Sequence, residues 1–274
     1  MSPTVSTGKN QPPTDRIVNP NVPNVARMYD WYLGGKDNYA ADVQACWRAL
    51  KLNPEAKACA LANRRFLGRS VDHLARKEKI AQFLDLGTGF PSQGNVHEVA
   101  QKANPDALTM YVDYDPVVVA HGRALLTTDD RTQMLERDLR DWKKVCEDAA
   151  TLLDFERPIG VLMVASLHFI KPSEDPYGIV KAFMDATVSG SFLVLSHVLE
   201  APRTVAAVQA YKGASAPAVL RSEEDIARFF TNAELELVEP GLVRAPLWRS
   251  DPCDPFVEID AEKIDFLAGV GRKR

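Results

Sequence analysis

Two short acidic stretches hold the residues best suited to chemistry: Phe83-Leu-Asp-Leu-Gly-Thr-Gly89 and Tyr111-Val-Asp-Tyr-Asp-Pro116. Each reads as an apolar strand ending on a carboxylate, Asp85 in the first and Asp113 in the second. A glycine turn follows the first strand. Two such acids at strand C-termini are the layout of a nucleoside-containing cofactor site on a doubly wound sheet. The turn is Asp85-x-Gly87-x-Gly89 rather than Gly-x-Gly-x-x-Gly. An acid at that point repels a pyrophosphate, but it can receive turn N–H groups or reach the cationic amino group of a methionine moiety. The pattern therefore favours S-adenosylmethionine over NAD, with Asp113 accepting the ribose hydroxyls. Taken alone, the Asp-x-Gly-x-Gly motif could also be a tight strand-to-helix turn that binds nothing.

The same frame assigns the neighbouring residues. Gly87, Thr88 and Gly89 surround the methionine end, and Tyr114 lies against the adenine. In Glu136-Arg-Asp-Leu-Arg140, Asp138 either accepts the adenine amino proton, with the Leu139 N–H donating to the ring, or caps the following helix. The run Ile159–Ala165 is apolar throughout, as a strand covered on both faces should be, and its end (Ala165, Ser166) faces the reactive sulfonium. His168 just beyond it is a candidate general base, or else a histidine packed at a strand edge. His97 and His197 compete for that role, and His197 also sits near a strand end. No spacing among the five histidines suggests a metal site, and no Gly-x-Ser-x-Gly elbow supports a hydrolase.

These residues need a scaffold, and the patterning supplies one. Residues 1–20 are polar and proline-rich and read as a disordered tail. Helical stretches follow near 39–51 and 55–77, the second crowded by Arg64, Arg65 and Arg69. Strands are predicted near 80–85, 108–113, 133–137, 159–165, 191–198, 234–240 and 264–271, with helices near 94–103, 116–126, 141–152, 177–187 and 222–231. This alternation gives an α/β fold with a parallel sheet. Three parts are expected: the tail, an N-terminal helical lid over 21–78, and a Rossmann-like domain over 79–274 with an excursion at 199–220. A net charge of -4 and a pI near 5.8 argue against nucleic-acid binding. The four cysteines are scattered without a Cys-x-x-Cys pair, and no apolar run is long enough to span a membrane, so a cytoplasmic protein is expected.

Several separated segments resemble one known family. Ala26-Arg-Met-Tyr-Asp-Trp-Tyr-Leu-Gly-Gly-Lys-Asp-Asn38, Phe83–Pro91 with Asn95-Val-His-Glu98, Tyr111–Pro116 and Val164–Ile170 are similar to the bacterial S-adenosylmethionine methyltransferases once known as the DUF574 family. So are Asp175-Pro-Tyr-Gly178, Leu195-Ser-His197 and Gly269-Val-Gly-Arg-Lys273. The resemblance implies a class I methyltransferase sheet in the order 3-2-1-4-5-7-6, strand 7 antiparallel, with S-adenosylmethionine across the strand C-termini. Pro91 stands where the common methyltransferase loop has a third glycine. The aromatic N-terminal motif reads either as a core-packed helix capped by Gly34 or as a lid. In the lid, Arg27, Tyr32 and the Gly34-Gly35 turn fold over the cofactor, and Arg27 pairs with the methionine carboxylate. The expected activity is methyl transfer to O or N of a small molecule. The alternatives are an S-adenosylmethionine sensor and an enzyme using that cofactor for other chemistry.

Overall fold

A computed structural model of the chain describes residues 19–92, 94–250 and 260–274. The expected tail lies almost wholly outside the described residues, and so does Cys253. Among the described residues eight strands form one sheet: β1 (Gln82–Leu86), β2 (Leu108–Asp113), β3 (Thr132–Glu136), β4 (Gly160–Val164), β5 (Phe192–Val198), β6 (Leu235–Leu237), β7 (Val243–Arg244) and β8 (Phe266–Lys273). Their order is 3-2-1-4-5-8-6, with β7 alongside β8. Strands β1 to β5 pair in parallel and β8 runs antiparallel to β5. This is the expected class I arrangement. The antiparallel strand is eighth because the two-residue β7, absent from the sequence reading, precedes it.

Both sheet faces are apolar, which is why the strands read as continuous hydrophobic runs. Phe83, Tyr111, Leu162 and Val194 point to one face, packing with Phe66, Val71, Val96 and Val118. Leu84, Met110, Val161 and Leu193 point to the other, packing with Val145, Ile179, Phe183 and Phe229. The nine described α-helices are α1 (Val25–Leu33), α2 (Ala40–Leu52), α3 (Ala56–Arg76), α4 (Val96–Ala103), α5 (Pro116–Leu125), α6 (Trp142–Ala149), α7 (Pro176–Asp185), α8 (Pro202–Val208) and α9 (Glu223–Asn232). Local signals fix several starts. The Asp115 carboxylate accepts the Val117 N–H ahead of Pro116 at the first turn of α5, and the Asn95 N–H donates to Glu98 at α4. At α9 the Ser222 hydroxyl accepts the Asp225 N–H at 3.1 Å.

The N-terminal helices divide. Buried Phe66, Val71 and Leu74 join α3 to the sheet core, whereas Met28, Tyr32, Ala45, Cys46 and Ala49 give α1 and α2 a core of their own, shared with Ala210. The 199–220 excursion is not plain loop: it contains α8, which sequence reading missed because Ala and Val around Pro202 carry no clear period. Ser215 fastens this excursion to the N-terminal segment, donating its N–H to the Pro23 carbonyl at 2.9 Å and accepting the Val25 N–H at 3.1 Å.

Candidate active site

The C-terminal ends of the parallel strands open into a cavity of about 650 Å³. Asp85, Gly87, Thr88 and Gly89 follow β1, Asp113 and Tyr114 end β2, Asp138 and Leu139 follow β3, and Ala165, Ser166 and His168 follow β4; all line this cavity. Its roof is the N-terminal segment together with the 199–220 excursion, through Asn24, Ala26, Tyr29, Ala207 and Tyr211. Asn24 latches the roof to the floor, its Nδ2 donating to Asp115 at 2.7 Å.

The turn after β1 is built on backbone, not on Asp85. The Gly87 and Thr88 N–H groups donate to the Val112 carbonyl at 2.9 and 3.2 Å, and the Thr88 hydroxyl is taken up by the carbonyls of Asp85 and Val112. Gly87 has φ +78°, and a Cβ there would stand 2.7 Å from the Ser166 Cβ, so the close approach of the two loops requires glycine. The expectation that Asp85 receives turn N–H groups is therefore corrected. Its carboxyl accepts no hydrogen bond among the described residues, and burial pushes its pKa up to about 7, with Asp113 adding to the rise and Arg64 opposing it. Asp113 is held differently. One oxygen accepts the Gly89 N–H and the other the Asp115 N–H, both at 2.9 Å. Burial still raises its pKa to about 6. Each Asp113 oxygen keeps a lone pair for a hydroxyl ligand.

Asp138 does not cap a helix, because α6 starts at Trp142 with Asp141 at its N-cap. Its carboxylate instead accepts from the Arg140 guanidinium at 2.6 and 2.9 Å, and Arg140 also reaches Glu174. Ala165 adopts φ +58°, a strained value for a residue with a Cβ, and does so on the cavity wall.

Three expectations are corrected, those for His197, Arg27 and Gly34. His197 is fully buried and does not line the cavity. Its Nε2 accepts from Arg221 at 2.6 Å and its Nδ1 faces the Val198 carbonyl, so both nitrogens are engaged. Arg221 also donates to the carbonyls of Leu167 and Ile170, which makes this pair a brace under the loop after β4. His168 does line the cavity, yet burial and nearby Arg221 push its pKa down to about 3. Such an imidazole is neutral over the ordinary pH range. Arg27 lines the wall, but its Nε donates to fully buried Asp42 at 2.7 Å and its Nη2 to the Val22 carbonyl, so its charge is already balanced. Gly34 is the left-handed cap of α1 and lies off the cavity wall. Its neighbour Gly35 packs on Asp30, which also accepts from the Asp37 N–H and the Asn38 amide. Tyr32 reaches the cavity from the roof, its ring 3% exposed beside Tyr211 and Cys46.

Sequence reading missed Arg64 as a site residue, although it noted the arginine crowd on α3. Arg64 lines the cavity, is steadied by the Asn95 side chain at 3.2 Å, and lowers the pKa of Asp85. The helical period places it one turn from the buried stripe of α3, and that was the available signal.

A doubly wound sheet in this order, with two acids facing a roofed cavity, defines a class I S-adenosylmethionine-dependent methyltransferase. The chain belongs to the S-adenosyl methyltransferase family, whose model matches residues 11–274. A Thermobifida fusca YX protein assigned to the methyltransferases is 39% identical, with a TM-score of 0.86 over 93% of this chain and 96% of that one. A DUF574 family protein of Streptomyces avermitilis MA-4680 is 33% identical, with a TM-score of 0.87 over 92% and 98%. A mitomycin 7-O-methyltransferase shares the fold at 16% identity and a TM-score of 0.51, covering 94% of this chain and 74% of that one. No curated protein matches the chain. No described helix is long and apolar enough to cross a membrane, and no described cluster of His, Cys, Asp and Glu could hold a metal ion.

Proposed function

We propose that the enzyme methylates oxygen or nitrogen of a small molecule enclosed in this cavity. The observation that carries the reading is the roof: Asn24 and Ser215 tie two separate chain segments across the strand ends, giving a partly covered cavity rather than an open face. The residues fit the cofactor. Buried, unsatisfied Asp85 suits the methionine ammonium, and Asp113 offers its remaining lone pairs to the ribose hydroxyls. Arg64, rather than Arg27, stands at the same end as Asp85 for the methionine carboxylate. Tyr114, Leu139 and Asp138 flank the adenine, and Ala165 and Ser166 close the wall nearest the sulfonium. Bound there, S-adenosylmethionine supplies an electrophilic methyl group.

The protein's own contribution is orientation and exclusion of water, since methyl transfer is an in-line displacement. The buried acids hold charge and hydroxyl groups in place, the roof keeps water out, and neutral His168 can hold an acceptor's polar head. Titration calorimetry with S-adenosylmethionine, S-adenosylhomocysteine and NAD tests the cofactor assignment, with micromolar binding of the first two and none of NAD expected. Transfer of labelled methyl to small molecules but not to RNA or protein fractions tests the acceptor. Label found only in macromolecules would overturn the reading.

A further inference from the structure

The cavity is chemically divided. Because the sheet order is 3-2-1-4-5-8, the acids on β1, β2 and β3 occupy one half, and the ends of β4, β5 and β8 floor the other. The second half is apolar: Cys59, Leu67, Val198, Ala207, Tyr211 and Phe266 line it. The Tyr32 hydroxyl beside Tyr211 is buried without a hydrogen-bond partner among the described residues, whereas the polar groups of Asp265, Thr204 and Cys59 are already engaged. Asp265 is 1% exposed and bound by both Arg203 and Arg244, neither of which lines the cavity, so its negative charge is compensated. The Thr204 hydroxyl is taken up by the carbonyls of Leu199 and Ala201. The Cys59 thiol is buried against the Lys263 carbonyl, and its pKa is pushed up to about 12, so it stays protonated.

One end differs. His168 and Ser166 stand where the apolar half meets the acidic half, and the Ser166 hydroxyl and His168 Nδ1 are buried without hydrogen-bond partners. Each is no more than 8% exposed. An unpaired buried polar atom costs about 1–3 kcal/mol, a cost a ligand hydroxyl could relieve. The His168 ring also contacts Phe266 at 5.9 Å and Phe169 at 4.3 Å, so the polar end is framed by aromatic faces.

We propose that the β4–β5–β8 half of the cavity is the acceptor subsite, and that it takes an uncharged, largely apolar aromatic molecule whose phenolic or enolic hydroxyl is held by His168 and Ser166. This rests on the methyl-transfer reading above and narrows it. The apolar wall rejects a carboxylate or ammonium group carried along it, because an ion there would lose hydration and find no partner, whereas a phenolate oxygen at the polar end would face the sulfonium and the Ser166 hydroxyl. Acidity selects among hydroxyls. His168 lies buried in the chain between Leu167 and Ile170, whose carbonyls bind the Arg221 guanidinium, and a cation so near disfavours an imidazolium. This favours an acceptor that ionises on its own, as a phenol or enol does and an aliphatic alcohol does not. The acceptor gives up its proton to solvent before it is enclosed, and its oxygen forms the new O–CH₃ bond with its own electron pair. The S–CH₃ pair stays on sulfur, so oxyanion and sulfonium become an uncharged ether and thioether.

Three probes of similar size separate the possibilities: 2-naphthol, 2-naphthoate and the saturated alcohol trans-2-decalol. Calorimetric titration into the protein saturated with S-adenosylhomocysteine should show 2-naphthol binding at least tenfold tighter than 2-naphthoate. With labelled S-adenosylmethionine, 2-naphthol should be methylated and trans-2-decalol should not. Ala207→Phe should weaken 2-naphthol at least tenfold while S-adenosylhomocysteine affinity, the check on folding, stays unchanged; Val208→Trp serves if that variant does not fold. Equal binding of naphthoate, methylation of decalol, or unchanged naphthol affinity in a folded filled variant would each overturn the subsite. Absence of S-adenosylhomocysteine binding to the native protein would sink the methyl-transfer reading itself, and the subsite with it.

Discussion

Replacing Asp85 by Asn should make the ligand-free protein more stable at alkaline pH while crippling its hold on S-adenosylmethionine. A carboxyl titrating at about 7 instead of 3.8 carries roughly 4 kcal/mol of cost in its ionised form. The folded state binds this proton more tightly than the unfolded chain does. Stability from this group is therefore complete below pH 3.8 and is lost as pH rises through about 7. Between pH 5 and 8 the loss integrates to about 3 kcal/mol. Asp113, at about 6, contributes with the same sign, so the Asp85→Asn variant keeps part of the slope. Urea unfolding at pH 5 and 8 measures the difference directly, and at pH 8 the variant should exceed the native protein by at least about 1 kcal/mol. The same substitution removes the charge that meets the methionine ammonium. Losing a charged hydrogen bond of about 1.5–3 kcal/mol predicts roughly 10- to 100-fold weaker S-adenosylmethionine binding by calorimetry. A variant less stable than native at pH 8, with unchanged affinity, would refute the reasoning: Asp85 would then be a structural acid whose charge is already compensated.

Arg64→Gln should weaken S-adenosylhomocysteine at least tenfold and leave 5′-methylthioadenosine, which lacks the amino-acid carboxylate, nearly unaffected; equal losses for both would mean the arginine only supports the fold. Gly87→Ala should cost more than about 2 kcal/mol in unfolding free energy, since a left-handed backbone and a 2.7 Å contact with Ser166 coincide there; a neutral effect would show that the loops separate easily. His168→Gln should lower turnover but leave the pH dependence of the rate unchanged, because a histidine titrating at about 3 has no inflection in the working range. Loss of an inflection near pH 6.5 in that variant would restore histidine as the base. Asn24→Ala, which removes the 2.7 Å tie to Asp115, should speed S-adenosylhomocysteine release in stopped-flow measurements, and an unchanged rate would show that the roof does not limit it.

Sequence alone determined the scaffold. Apolar runs ending at Asp85 and Asp113, with a glycine turn between strand and helix, depend on local pattern and on sheet chirality, and both are written in adjacent residues. The residues meeting at the cavity from β1 to β4 followed from that, while the sheet order came from the resemblance to the methyltransferase family. What a side chain does once it arrives was decided by partners distant in sequence. Arg27 looked like a carboxylate ligand until Asp42 on α2 balanced it, and His197 looked like a base until Arg221 occupied its Nε2. Gly34 and Asn38 belong to a loop organised by Asp30. His168 reached the site as expected, but its basicity was set by burial, which no local pattern encodes. Periodicity and turn chemistry specify where the backbone goes, while protonation and pairing depend on dielectric and charge summed over the whole fold, and these exist only once the chain has closed on itself.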